Sequence, residues 1–316
     1  MRGPTPDGTI PGMRGPAAVI HSSRYRCDIG THVFPMEKYD LVLRDLIASG
    51  DLRADAVLEP VPASDQELRL VHTAAYLDDL AALRWTPRTA GSEMPLTAEI
   101  VESYRRMAGG TVRATRESLA SGMAVHIGGG FHHAFADLAS GFCYLNDLAI
   151  AVRVAQRDHG IERVAVVDVD LHQGNGTAHV FQGEPEVFTF SIHQERLYPI
   201  KERGSLDIGL DDGTGDDEYL RRLGHGLEHV WAHDPALVLV QAGADPYLDD
   251  QLGALKLSFE GLAARDRMVI DGCAERGIPT VITLGGGYAR QLSDLVRIHA
   301  QTCRIAIHAA REELPS

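Results

Sequence analysis

Short apolar runs recur along this chain, each separated from the next by a stretch long enough for a helix. They fall at residues 16–22, 56–58, 123–127, 164–167, 187–192, 237–241 and 280–284. Runs this short and this apolar are what strands buried on both faces produce. Between them lie helical patterns at 38–49, 64–83, 97–119, 145–158, 177–182, 216–231 and 259–275, and a last helix extends to about residue 309. Leu41, Leu43, Leu46 and Ile47 form the apolar side of the first helix, Ser64 with Glu67 makes a capping box, and Thr97 caps the long third helix. Residues 86–95, with two prolines, and the turn-rich 195–215 read as loops. Strands alternating with helices specify an α/β fold, a central parallel sheet with helices on both faces. Nothing after residue 16 resembles a linker or an internal repeat, so residues 16–312 read as one domain behind a flexible Gly/Pro-rich leader, 1–15.

The strand ends carry the chemistry. The run 164–167 passes into Asp168, Asp170 and His172 at alternate positions, followed by Gly174 and Gly176. The run 123–127 passes into His132 and His133, 237–241 into Asp245, and 280–284 into Gly285-Gly286-Gly287-Tyr288. Each feature has a plain explanation by itself: a helix cap, loop surface, a turn before Pro246, a tight glycine turn. In a parallel sheet all four lie at one edge, where open α/β sheets place their sites, and that coincidence points to a site.

Asp170, His172 and Asp245 are metal-ligand types, and three protein ligands leave a position open. A divalent ion there can polarise a carbonyl and acidify water. Imidazole titrates near neutrality, so His132 or His133 can serve as base and acid, with Asp168 free to hold one of them. Tyr288, on what reads as a mobile glycine turn, can donate its phenolic proton to an oxyanion. These residue types add up to metal-assisted amide hydrolysis.

Composition narrows the partners. The 316 residues carry a formal net charge of −14, which repels nucleic acid and anionic membrane and favours basic segments such as cationic peptides. Cys27, Cys143, Cys273 and Cys303 are scattered without a C-x-x-C pair, so reduced thiols in a cytoplasmic protein are expected. No apolar run approaches the roughly 20 residues of a membrane span, and the N-terminus has no signal-peptide core.

The segments GGGFHHA, GFCYLND, DVDLHQGNG, AGAD and GGGY, in this order, resemble the zinc-dependent histone deacetylase family over nearly the whole chain, with the arginase–deacetylase fold. DVDLHQGNG, GDDEYL and RLYP are most similar to class IV members, of a bacterial type. The resemblance implies removal of acyl groups from N-ε-acyl-lysine in a protein or peptide, with long chains favoured over acetyl. It implies one Zn2+, or Fe2+, on Asp170, His172 and Asp245, with His133 as general base and acid, His132 paired with Asp168 as its electrostatic partner, and Tyr288 at the transition state. The acyl-lysine tunnel falls on Gly141, Phe142, Tyr198 and Leu252, and a structural K+ on Asp168, Asp170, His172, Ser191 and Ile192. Two positions depart from the commoner pattern: Asn175 stands beside His133 where class I members have Asp, and Tyr198 where Phe is frequent.

Three other readings compete. A dimetal ureohydrolase needs further bridging carboxylates, yet Gly174 and Tyr247 stand where they would be. An acetylpolyamine or other small acylated amine is the second; Leu252 argues against it, while Asp249 and Asp250 keep it open. A catalytically inactive acyl-lysine binding module is the third, opposed by the complete set of ligands, histidines and tyrosine.

Overall fold

A computed structural model describes residues 15–312, so the expected leader lies almost entirely outside the described residues. The strands are β1 (Ala18–Ile20), β2 (Val57–Leu58), β3 (Met123–His126), β4 (Val164–Asp168), β5 (Val187–Gln194), β6 (Leu206–Leu210), β7 (Leu237–Gln241) and β8 (Thr280–Thr283). They form one parallel sheet in the order β2-β1-β3-β8-β7-β4-β5-β6. The helices are α1 (Lys38–Ala48), α2 (Asp65–Leu68), α3 (Ala74–Ala81), α4 (Pro87–Ala90), α5 (Ala98–Ser121), α6 (Asp147–His159), α7 (Asn175–Val180), α8 (Asp216–Ala232), α9 (Phe259–Ala274) and α10 (Leu292–Glu312). Helices α5 and α6 pack together, as do α1, α8, α9 and α10 as a second group, covering the sheet.

Every residue of β3, β4, β7 and β8 is buried, which is why these strands read as continuous apolar runs. They are also the four consecutive central strands, and all four candidate site loops leave from their carboxyl ends. The chain visits them out of order: β7 and β8 return to fill the space between β3 and β4. Four distant segments are thereby brought side by side at a crossover of the kind that opens a crevice.

Local signals set the boundaries. Thr97 accepts the Ile100 amide at 3.2 Å to start α5, and Gly122 ends it in the left-handed region at φ 96°. Ser64 and Glu67 make their reciprocal capping bonds. The helical hairpin expected over 64–83 is formed by α2 and α3. Two expected loops contain structure. Residues 86–95 include α4, begun by Pro87 and by the Thr86 amide on Thr89 Oγ1. Residues 195–215 include β6, which pairs only with β5 at the sheet edge. Its buried Ile208 and Leu210 alternate with an outward Asp207 and with Gly209, so its pattern is diluted as befits an edge. No described helix is long and apolar enough to cross a membrane.

Candidate active site

Beyond β4 the chain bends at residues 170–172, and Val169, Asp170, Leu171 and His172 are all buried. The turn is stitched by its own carboxylates: Asp168 Oδ1 accepts the Asp170 amide at 3.1 Å and Asp170 Oδ1 the His172 amide at 2.9 Å. Asp245, arriving from β7, accepts the Leu171 amide at 2.9 Å. His172 Nδ1 lies 3.3 Å from Asp170 Oδ1 and 3.2 Å from Asp245 Oδ2. One donor atom from each of the three lies within 4.8 Å of the others, and all three residues are buried. This is the single such group among the described residues.

The donor set fits a divalent cation. Burial opposes charge on His172, but hydrogen bonds to Asp170 and Asp245 outweigh it and push the imidazole up to about 10. Two buried carboxylates thus draw positive charge to their centre, and a metal ion meets the same demand with the imidazole neutral. Two carboxylates and one imidazole suit several divalent ions. The cradle is tight: a Cβ on Gly243 would lie 2.0 Å from Asp170 Oδ2, and one on Gly286 2.6 Å from Asp245 Oδ2.

His132 and His133 follow β3 with ring centroids 4.0 Å apart. Their loop hangs on Asp147, which accepts the Gly130 amide at 2.9 Å and the Phe131 amide at 2.7 Å. His132 Nδ1 meets Asp168 Oδ2 at 2.6 Å, and His133 Nδ1 meets Asn175 Oδ1 at 2.8 Å. Burial works against protonating either ring. For His132 the charges of Asp168 and Asp170 override it and raise the pKa; for His133 the positive fields of His132 and His172 add to it, leaving that ring well below its ordinary value.

Tyr288 lines the same narrow cavity as His133, Asp170, Gly141, Phe142 and Phe34, about 20 Å³ in volume and so room for roughly one water. Burial, then the Asp245 and Asp170 charges, keep its phenol protonated. The glycine turn before it is hydrogen-bonded on both sides. Lys38, fully buried, donates to the Gly285 carbonyl at 2.7 Å, and Asp250 accepts the Tyr288 amide at 2.7 Å.

The other expected positions fall as follows. A Cβ on Gly141 would lie 2.5 Å from the His133 ring and 2.7 Å from the Tyr198 hydroxyl. Tyr198 is half-exposed, its ring 5.3 Å from His133 and its hydroxyl 2.6 Å from Ser140 Oγ. Leu252 is half-buried and does not line the cavity; its amide is tied to Asp250 at 2.8 Å. The β4–β5 register sets Asp168 beside Ser191, whose hydroxyl is engaged by His193 Nδ1 at 2.9 Å, and Ile192 is fully buried.

Phe34, Lys38, Asp147, Gln241 and Asp250 also build the site, and the sequence alone gives them no role in it. Gln241 bonds Asp170 Oδ2 at 2.8 Å, and its place at the end of an apolar strand was the available signal. Asp147 was visible inside GFCYLND. Phe34 lies in the loop between β1 and α1 and Lys38 at the start of α1, far from the four site-bearing strand ends in the chain, and neither carries a local signal. Asp250 is not a charge on the rim, for it is 7% exposed and spends its oxygens on two amides.

A parallel eight-stranded sheet bearing this buried Asp-His-Asp group and histidine pair defines an amidohydrolase of the arginase–deacetylase fold. Residues 32–303 match the model of the histone deacetylase domain. An uncharacterized protein of Picosynechococcus sp. is 40% identical over 278 residues, covering 87% of this chain and 93% of that one. Histone deacetylase 2 of Arabidopsis thaliana is 32% identical, covering 88% and 76%. A crystal structure of a histone deacetylase homologue complexed with SAHA superposes with a TM-score of 0.81 at 27% identity, covering 94% of this chain and 88% of that one. The chain belongs to the histone deacetylase family.

Proposed function

We propose that this protein is a class IV deacylase that hydrolyses N-ε-acyl-lysine in proteins or peptides, using one zinc ion and preferring long acyl chains to acetyl. The observation that carries the hydrolysis is the meeting of a neutral His133, the Asp170–His172–Asp245 group and the protonated Tyr288 on one narrow cavity walled by Phe142 and Phe34.

A divalent ion held by Asp170, His172 and Asp245, zinc or iron by donor type, would supply a Lewis acid that polarises the amide carbonyl and acidifies water. The protein's own groups do the rest. The Asn175 side-chain oxygen accepts the Nδ1 proton of His133, which leaves the Nε2 lone pair free to take a proton from the attacking water. The same nitrogen returns that proton to the amine as the C–N bond breaks, giving a carboxylic acid and lysine. His132, held by Asp168, supplies positive charge beside the developing oxyanion. Tyr288 donates its phenolic proton to that oxygen.

Phe142 and Phe34 suit the lysine methylenes, and the acidic surface favours basic peptides. The family's structural K+ is assigned to Asp168, Asp170, His172, Ser191 and Ile192. An acyl chain beyond acetyl requires more room than about 20 Å³, so the long-chain preference, which rests on the class IV resemblance, requires the cavity to enlarge beyond the scissile amide. The test is kcat/KM for acetyl- and myristoyl-lysine in one peptide, with acetylpolyamines alongside, each with and without chelator. Myristoyl above acetyl is expected. Acetyl above myristoyl would refute the chain-length preference alone, and a polyamine above both would replace the substrate class. Two metal equivalents, both required, would restore the ureohydrolase reading.

A further inference from the structure

Strands β4 and β7 are joined by the backbone ladder only as far as Asp168 and Gln241, with a last bond from the Val169 amide to the Gln241 carbonyl at 3.0 Å. Beyond it the two chains part, one toward Asp170 and His172, the other toward Asp245. Arg265, from α9, stands in the gap. Its Nη1 donates to the Val169 carbonyl at 3.1 Å and to the Gly243 carbonyl at 2.6 Å. The side chain is among the largest fully buried ones in the protein.

We propose that Arg265 is a positioning residue that sets the separation of Asp170–His172 from Asp245 and thereby the affinity of that group for a divalent cation, an inference that rests on the metal reading above. The reach from guanidinium to ligand is one or two rigid peptide planes. The Val169 carbonyl shares its plane with the Asp170 amide, which is itself bound to Asp168, so fixing that oxygen fixes the start of Asp170. The Gly243 carbonyl shares its plane with the Ala244 amide, which donates to the Gly286 carbonyl at 3.1 Å. Gly243 also lies against the Asp170 carboxylate, with no room for a Cβ, so any slip of that peptide displaces a ligand oxygen.

The guanidinium is aimed in turn. Arg265 Nε donates to Asp266 Oδ1 at 2.8 Å and Nη2 lies 2.7 Å from the same oxygen, while Thr302 of α10 donates to Asp266 Oδ2 at 2.5 Å. Tyr219 of α8 reaches the Val169 carbonyl at 3.3 Å. Three helices therefore converge on two carbonyls. A planar fork fixed at one end can hold both at a set spacing, whereas a lysine ammonium on a flexible stem cannot.

A buried ion pair replaced whole by apolar residues often leaves stability unchanged, which separates positioning from packing. Stoichiometric uptake of Zn2+ and Co2+ by the metal-stripped native protein first checks the reading on which the proposal rests. The variant R265M/D266L and the single variant R265K are then titrated with both ions against a competing chelator. Their metal-free thermal midpoints and Co2+ absorption spectra are recorded in parallel. The expected result is an affinity about 10–100-fold weaker in both variants, the size seen when groups behind metal ligands are removed. An altered Co2+ spectrum and a metal-free midpoint close to the parent's in the double variant complete the expectation. Unchanged affinity and spectrum in the folded double variant would overturn the proposal. So would an affinity that merely follows the thermal midpoint across both variants.

Discussion

His132 and His133 are adjacent in sequence, similarly buried and in contact ring to ring at a tilt of 46°, yet they answer to different partners. One faces a carboxylate, the other an amide, and their pKa values move in opposite directions because only the first has negative charge enough to overcome burial. A pair of titratable groups pushed apart by their surroundings can divide labour: one stays charged and the other is free to move a proton. Burial lowers both pKa values; the charges of Asp168 and Asp170 reverse this for His132, while the fields of His132 and His172 add to it for His133, where the Asn175 side-chain amide and the charge of Asp170 oppose them too weakly.

The largest effect that could break this division comes from removing each ring. His133→Ala should lower kcat by about 10³-fold or more, within the range for loss of a general base, and His132→Ala by clearly less. Equal losses would erase the distinction. Next in size is Tyr288→Phe, which checks that the oxyanion is served by a donor outside the histidine pair. It should cost about 10²–10³ in kcat with little change in KM. An unchanged kcat would return that role to His132.

Smaller, and more diagnostic, is Asn175→Asp. His133 now lies well below its ordinary value, so it remains a neutral base until the pH falls far below neutrality. A carboxylate partner favours the imidazolium and should raise the His133 pKa, moving the acidic limb of kcat/KM to higher pH by about one unit or more. A limb that stays in place would mean that another group titrates there.

The smallest effect uses a third histidine as reference. His126 is fully buried between the Tyr25 hydroxyl at 2.8 Å and the Thr111 hydroxyl at 2.9 Å, with no carboxylate partner. Burial, with a lesser push from His21, takes it down to about 3. Unfolded, it would protonate near pH 6.5, so the unfolded state binds more protons between those values and stability falls as pH drops below about 6.5. Urea unfolding at pH 7 and pH 5 should show this loss, and His126→Asn should reduce it. An undiminished loss in the variant would assign the proton uptake to other buried histidines.

What the sequence made legible, and what it hid, follows from range. Asp168 to His172 declared themselves because a buried strand leaves no reason for three polar residues at its end. Gly243 and Gly286 are legible only as turns, since the carboxylates they make room for arrive from 73 and 41 residues away in the chain, as Asp170–Gly243 and Asp245–Gly286. Lys38 begins a helix like any surface lysine; its partners are the carbonyls of Gly285 and Gly286. Asp250 shows the opposite error, a charge that reads as solvent-facing and is consumed by the backbone it holds. The strand β6 is hidden because Asp207 and Gly209 interrupt its apolar residues, leaving no continuous run.

The two glycine runs, 128–130 and 285–287, touch each other. The Leu284 amide donates to the Gly128 carbonyl and the Gly285 amide to the Gly129 carbonyl, each at 3.1 Å, and a Cβ on Gly130 would lie 2.7 Å from the Gly285 backbone. The absence of side chains here lets two loops close like a further rung of the sheet. Their amide hydrogens should therefore exchange with deuterated solvent on the slow timescale of the central strands, hours behind those of an ordinary glycine loop, and the loops should open only when β3 and β8 separate.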